Sequence, residues 1–349
     1  MISVEKKLFG IYKGEKIFRY ELKNSNGFQV NILNLGGIIT GIYVKDKKGN
    51  IKNTVLGYQE IEKYIGNSAY PGAIIGRTAG RIKNGEFSID GVKYSLGKND
   101  GKNSLHGGKE GLNDKIYNVK ELGNGIELSY ISPHMEEGYP GTVEFKILYL
   151  INENNGLSLE YNAVSDRKTY INLTNHTYFN LSGNLEKNGD EQILKIKADN
   201  VCELGSGLIP TGNFISVENT VFDFREGLKI KDGIEKGHSQ FKITRAYDHP
   251  FILNYSGVEN EPQIILYSEY SGIEMEIRTT ERSVVIYTGN YLDDVSEFQE
   301  EKGQNRRYLG VTIETQDFPD GINIKNFNVK PLKAGEKYYS KTTYKFNIV

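Results

Sequence analysis

The chain has one cysteine in 349 residues, Cys202, so it cannot close an intrachain disulfide, and a reducing compartment is the simpler setting. It has no tryptophan and only 8 prolines. Neither charge sign dominates: 43 basic against 45 acidic residues leave a formal net charge of −2, which argues against a generic nucleic-acid binder. Long apolar runs are missing as well. The opening MISVEKKLFGIYKGEK has no secretory core, and FKILYLI at 145–151 is too short to span a bilayer. A soluble, cytoplasmic protein that engages neither membrane nor nucleic acid is expected. Sustained helical periodicity is lacking, which disfavours a doubly wound α/β fold, and no repeat of fixed period suggests a propeller.

What the chain does have is turn and strand material: 39 glycines, 24 tyrosines and 15 phenylalanines. FQVNIL alternates with period two, the mark of half-buried strands, and TVEFKILYLI, LSLEYNAVS, IEMEIRT and SVVIYTGNYL have strand character. EFSI-DG-VKYSL predicts a hairpin with Asp90-Gly91 in a type I′ turn. YPGAIIGRTAGRIKNG, residues 70–85, reads as a tight loop. Helix is expected only in short pieces, at YQEIEKYI (58–65) and as turns within 222–237. No composition shift marks a boundary, so residues 1–349 are expected to form a single all-β domain, a large antiparallel β-sandwich with few short helices.

Histidine is scarce, with five in all. His176 stands in NLTNHTYFNLSG (172–183), where Thr174, Asn175, Thr177 and Asn180 could orient its ring, and Tyr178, Phe179 and Leu181 supply a wall. By itself that stretch suits a structural histidine in a polar loop better than a catalytic one. His106 lies in SLHGG, and His249 follows Asp248 in DHPF; His134 and His238 read as surface residues. In VTIETQDF, alternation sets Thr312, Glu314 and Gln316 on one side and Val311, Ile313 and Thr315 on the other. A glutamate on such a polar face is ordinarily solvated. No histidine pair has metal-ligand spacing, no P-loop cradles phosphate, and no GxSxG elbow presents a nucleophile. The remaining set, Arg81, His106, His176, Asp248 and Glu314, suits proton transfer on a neutral polyhydroxylated molecule.

Six segments in order, GRTAGRI, SLHGG, NLTNHTYFNLSG, DHPF, YTGN and GVTIETQDFPDGIN, make the chain resemble the aldose 1-epimerases (galactose mutarotases) over nearly its full length. The resemblance implies a β-sandwich with an open cleft that interconverts the α and β anomers of free aldohexoses such as galactose and glucose, with no metal or cofactor, as a monomer or homodimer. It implies His176 as general acid and Glu314 as general base, with Arg81, His106, Tyr178 and Asp248 on the sugar. Asp248 is also the carboxylate expected to keep His176 protonated. Three positions depart from many members: Gly80 stands for asparagine, Phe179 for tryptophan, and Val285 for a glutamine that touches substrate in some. They bear on sugar preference more than on the reaction. Two other readings are a glycoside hydrolase using Asp248 and Glu314 and a non-catalytic sugar-binding module. A sugar-phosphate enzyme would need extra cations at the cleft; Arg77, Lys83 and Arg245 are candidates, but they read rather as structural or surface charges, Arg77 as one buried in the glycine loop.

Overall fold

Strand alternation decides which side of each sheet is dry. In Val143–Ile151, the residues Val143, Phe145, Ile147, Tyr149 and Ile151 are buried while Glu144 and Lys146 are exposed. The structure, a computed structural model, describes residues 1–255, 257, 261–294, 298 and 306–349. Every ladder between its strands is antiparallel, and the strands form three main sheets. Nine strands run in the spatial order Asn118–Leu122, Gly125–Ser132, Val143–Ile151, Gly156–Ser165, Lys337–Ile348, Ile273–Thr279, Ile264–Tyr267, Ile193–Ile196 and Leu228–Lys229. Six run Tyr178–Phe179, Val311–Gln316, Ser283–Tyr287, Asp248–Ile252, Asn200–Leu204 and Pro210–Ser216. A five-stranded meander spans Ser3–Tyr12 through Ile51–Asn53.

One apolar core joins the sheets. It takes Phe145, Ile147, Met275 and Ile277 from the nine-stranded sheet and Phe251, Val284, Ile286, Val311 and Ile313 from the six-stranded one. Leu22, Val30, Ile32 and Ile42 enter it from the meander. Each such side chain contributes roughly 1.5–3 kcal/mol on burial, so the all-β sandwich is held mainly by these inner faces. Lys337–Ile348 lies mid-sheet, pairing with Gly156–Ser165 on one side and Ile273–Thr279 on the other.

The expected hairpin forms between Glu86–Ile89 and Val92–Ser95. Asp90 and Gly91 have φ of 51° and 80°, as a type I′ turn demands. The turns foreseen within 222–237 include the helix Ile230–Lys236, and a further one, Phe241–Thr244, follows it. The helix expected over 58–65 reduces to one 3₁₀ turn, Ile61–Lys63. The Tyr64 hydroxyl turns back to accept the Tyr58 N–H at 2.7 Å, and so short a segment has too few internal bonds to propagate a helix. Among the described residues, no helix is long and apolar enough to cross a membrane.

Candidate functional site

The six-stranded sheet is covered on both faces. Its cross-strand register sets Asp248 opposite Tyr287 and Tyr287 opposite Thr312; the next row is Pro250, Val285 and Glu314, and the third is Ile252, Ser283 and Gln316. With side chains alternating at period two, these rows share one face while Phe251, Val284, Ile286 and Ile313 enter the core from the other. The polar side of VTIETQ is therefore not a solvated face, as expected from its composition. It is the floor of a cavity of about 470 Å³, and Glu314 is only 3% exposed. Alternation fixes sidedness but carries no information about what covers the second side.

Loops before and after the strands build the walls. Thr174–Asn175 pairs with Ile74–Ile75, and the His176 N–H donates to the Ala73 carbonyl at 2.9 Å. The polar side chains around His176 hold backbone rather than the ring: the Thr174 hydroxyl donates to the Thr315 carbonyl, the Asn175 amide to the Gly72 carbonyl, and the Asn180 amide to the Leu309 carbonyl. The ring is set instead by packing, with centroids of Tyr178 at 5.1 Å, His106 at 5.2 Å and Tyr70 at 6.0 Å. Tyr178 lines the cavity, its hydroxyl donating to the Ala69 carbonyl at 2.9 Å. Phe179 is not part of that wall. As the next residue of a strand it points the other way, into the core against Tyr344.

Arg81 and His106 arrive together because Arg81 pairs with Leu105 in a two-residue ladder. Two glycines make this loop possible. Gly80 has φ +73°, and a Cβ there would come within 2.7 Å of Pro319; a Cβ on Gly107 (φ +95°) would meet the Gly76 carbonyl oxygen at 1.8 Å. The Gly80 N–H donates to His106 Nδ1 at 3.2 Å, which places the proton of the neutral ring on Nε2.

Electrostatics follow from burial. His176 Nε2 and Glu314 Oε1 are 3.5 Å apart, and the Thr312 hydroxyl donates to the same oxygen at 3.1 Å. Burial, reinforced by the Asp248 carboxylate, pushes Glu314 up to about 8; the Thr312 bond and Arg81 oppose this only in part. Burial pulls His176 down to about 4, and burial, then His176 and Arg81, hold His106 well below the usual histidine range. Asp248 is not the partner of His176. It faces Arg81, with Oδ2 at 4.0 Å from Nη1, while Glu314 is the carboxylate at the imidazole. Burial raises Asp248 against the pull of that guanidinium.

His176, Glu314, Arg81, His106, Tyr178 and Asp248 thus line one cavity, although they are scattered from 81 to 314. The site also holds residues that the sequence reading passed over. Asp100 accepts from Arg81 Nε at 2.8 Å. Tyr287 and Gln316 lie on the floor, and Leu208 and Tyr291 at the rim; the alternation that singled out Glu314 also pointed to Gln316. Of the cations weighed for phosphate, Arg77 is buried behind the loop, Lys83 is exposed and does not line the cavity, and Arg245 is exposed with its guanidinium 4.5 Å from the centre of the Tyr291 ring at the rim. His106, His176 and Glu314 bring possible metal-donor atoms within 4.8 Å of one another, a convergence that spacing along the chain did not reveal. In the tautomer fixed by Gly80, however, neither His106 nitrogen has a lone pair free for a cation.

The family described as aldose 1-epimerase matches residues 19–345. The chain is 35% identical to galactose mutarotase of Bos taurus, with 100% of both chains covered. It is 34% identical to aldose 1-epimerase of Haemophilus influenzae, covering 93% of this chain and 94% of that one. The solved structure of galactose 1-epimerase from Lactobacillus acidophilus superposes with a TM-score of 0.86 at 27% identity, covering 100% of this chain and 99% of that one.

Proposed function

Because the chain belongs to the aldose 1-epimerase family, we propose that it interconverts the α and β anomers of free aldoses such as galactose, with Glu314 and His176 as its proton-transfer pair. The observation that supports this most directly is the buried 3.5 Å approach of His176 Nε2 to Glu314 Oε1 on a cavity floor. Opening the hemiacetal removes a proton from O1, breaks the C1–O5 bond and delivers a proton to O5. Rotation about C1–C2 presents the other face of the aldehyde, and reversal of both transfers closes the ring. One group must hold a proton while its neighbour lacks one, and a buried pair sharing a single titrating proton meets that need. In this reading Glu314 takes the O1 proton and His176 gives one to O5. Burial leaves the free pair as a neutral carboxyl beside a neutral imidazole, the same state the pair reaches once the ring has opened. The proton moves to His176 as the sugar, Arg81 and Thr312 surround the carboxylate. Arg81, Asp248, His106 Nε2–H and Tyr178 offer donors and acceptors to the hydroxyls. A soluble protein acting on a small sugar fits this role, and nothing in the cavity favours a hydrolase.

Polarimetry of freshly dissolved α-galactose tests the reaction: the protein should speed the approach to equilibrium rotation, and a rate equal to buffer alone would end the proposal. The same assay across pH tests the pair. Above about 8 the pair has lost its shared proton, and below about 4 it has gained a second. Enzyme-catalysed kcat/KM should therefore be level between those limits and fall outside them. A limb between pH 5 and 7, as an ordinary isolated histidine would give, would contradict the assignment.

Asp100 lines the cavity and is paired there with Arg81. Its side chain is 36% exposed, so solvent screens the pair. Asp100→Asn should raise KM about two- to fivefold, the equivalent of a weak ion pair, with kcat nearly unchanged. A larger fall in kcat than rise in KM would mean that Asp100 acts on the chemistry instead.

A further inference from the structure

Among the described residues, Gln316 alone has two buried side-chain atoms, Oε1 and Nε2, that both lack a hydrogen-bond partner. The residue is fully buried, yet it lines the cavity two positions beyond Glu314 on the same strand face. A primary amide carries two donor hydrogens and two acceptor lone pairs, and leaving them all unmade in a buried position costs stability. Its cross-strand neighbour Ser283 does not help, since that hydroxyl donates to the Gln316 backbone carbonyl at 2.8 Å. Beyond Ser283 in the same row is Ile252, and the adjoining row offers Pro250 and Val285 before Glu314. A leucine or methionine would fill this position without the polar penalty. The amide is therefore paired with no described group of the protein itself.

We propose that Gln316 recognises a hydroxyl of the bound aldose, donating and accepting at the end of the cleft floor away from the reacting atoms; this rests on the proposed aldose 1-epimerase reading. Two residues of strand advance about 6.6 Å, on the scale of one pyranose ring with its hydroxyls. With C1 and O5 at Glu314 and His176, the amide meets the opposite edge of the ring, at the C3 or C4 hydroxyl. It thereby sets how far the ring slides along the floor. Val285, in the same row as Glu314, gives the ring an apolar contact and no competing hydrogen bond.

Anomer-exchange kinetics of wild type and Gln316→Leu on galactose and on its 2-deoxy, 3-deoxy and 4-deoxy forms test the assignment. The leucine variant should lose about 10- to 100-fold in kcat/KM on galactose, mostly through KM. It should also lose the wild-type preference for galactose over the 3-deoxy or the 4-deoxy sugar, while keeping its ranking of the 2-deoxy sugar. Its sugar-free melting temperature should be equal to or above that of wild type. Equal losses on all four sugars, or a lowered melting temperature with the ranking intact, would overturn the proposal and make Gln316 a packing residue. Gln316→Met supplies the same comparison should the leucine variant not fold. Galactose titration by calorimetry reads the contact without turnover. A wild type that binds but does not interconvert anomers would end the proposed reaction, while weaker binding by Gln316→Leu would still uphold the contact.

Discussion

Glu314→Gln should lower kcat/KM for galactose anomer exchange by about 10²–10⁴-fold, the usual worth of one positioned proton transfer, and should leave the fold intact. The amide keeps the shape of the carboxyl and can still accept from the Thr312 hydroxyl, but it cannot take a proton from O1. Because burial holds the native carboxyl neutral near pH 7, the amide imposes no new electrostatic cost. The sign of the pH effect on stability follows. With its folded pKa raised, Glu314 binds its proton more tightly folded than unfolded, so its contribution to stability declines as pH rises from the ordinary carboxylate range to about 8. The variant lacks that decline, and its stability relative to wild type should grow over the same interval, as urea melts at several pH values would show. His176→Asn should cost a similar factor in rate. Since the two groups act as one unit, the double variant should be little worse than either single one. Strictly multiplicative losses would mean that they work independently.

Arg77→Met should be the most destabilising substitution in the loop behind the site. The Arg77 guanidinium is buried and makes five hydrogen bonds into residues 132–141: to the Ser132 hydroxyl and to the carbonyls of Ser132, Pro133, Pro140 and Gly141, at 2.9–3.1 Å. Burial lowers it only to about 10, so it stays charged at neutral pH. Methionine fills part of the volume and answers none of the acceptors. The expected loss is about 3–5 kcal/mol, a large share of the stability typical of a folded chain. Urea denaturation should show the midpoint falling with the slope kept. A loss under about 1 kcal/mol would mean that water replaces the guanidinium at no cost.

Arg77 also illustrates what could be read from the sequence. Its place in a glycine-rich loop beside Arg81 raised the choice between a phosphate-binding cation and a buried one, and residues far along the chain decide it. The strands were legible because alternation is local: Val143–Ile151 and the Asp90-Gly91 hairpin follow from neighbours alone. The site was legible through motif resemblance, which named six of the lining residues, and through the side of the strand on which Glu314 lies. What covers that side was not. Whether Glu314 is solvated, whether Asp248 faces His176 or Arg81, and whether Asp100 reaches Arg81 all depend on pairings across more than a hundred residues or on loop closure. Phe179 shows the converse: period two alone places it opposite Tyr178, yet an aromatic beside an aromatic reads as one wall.

The mid-sheet position of Lys337–Ile348 has a bearing on how the chain assembles. Every other strand of that sheet precedes it in the sequence, so during synthesis Gly156–Ser165 and Ile273–Thr279 emerge long before the strand that joins them. Until it arrives, each half-sheet presents an open hydrogen-bonding edge, the kind of surface that captures strands from neighbouring chains. The nascent protein should accordingly depend on chaperones late in translation, and refolding from denaturant should yield less native protein as concentration rises.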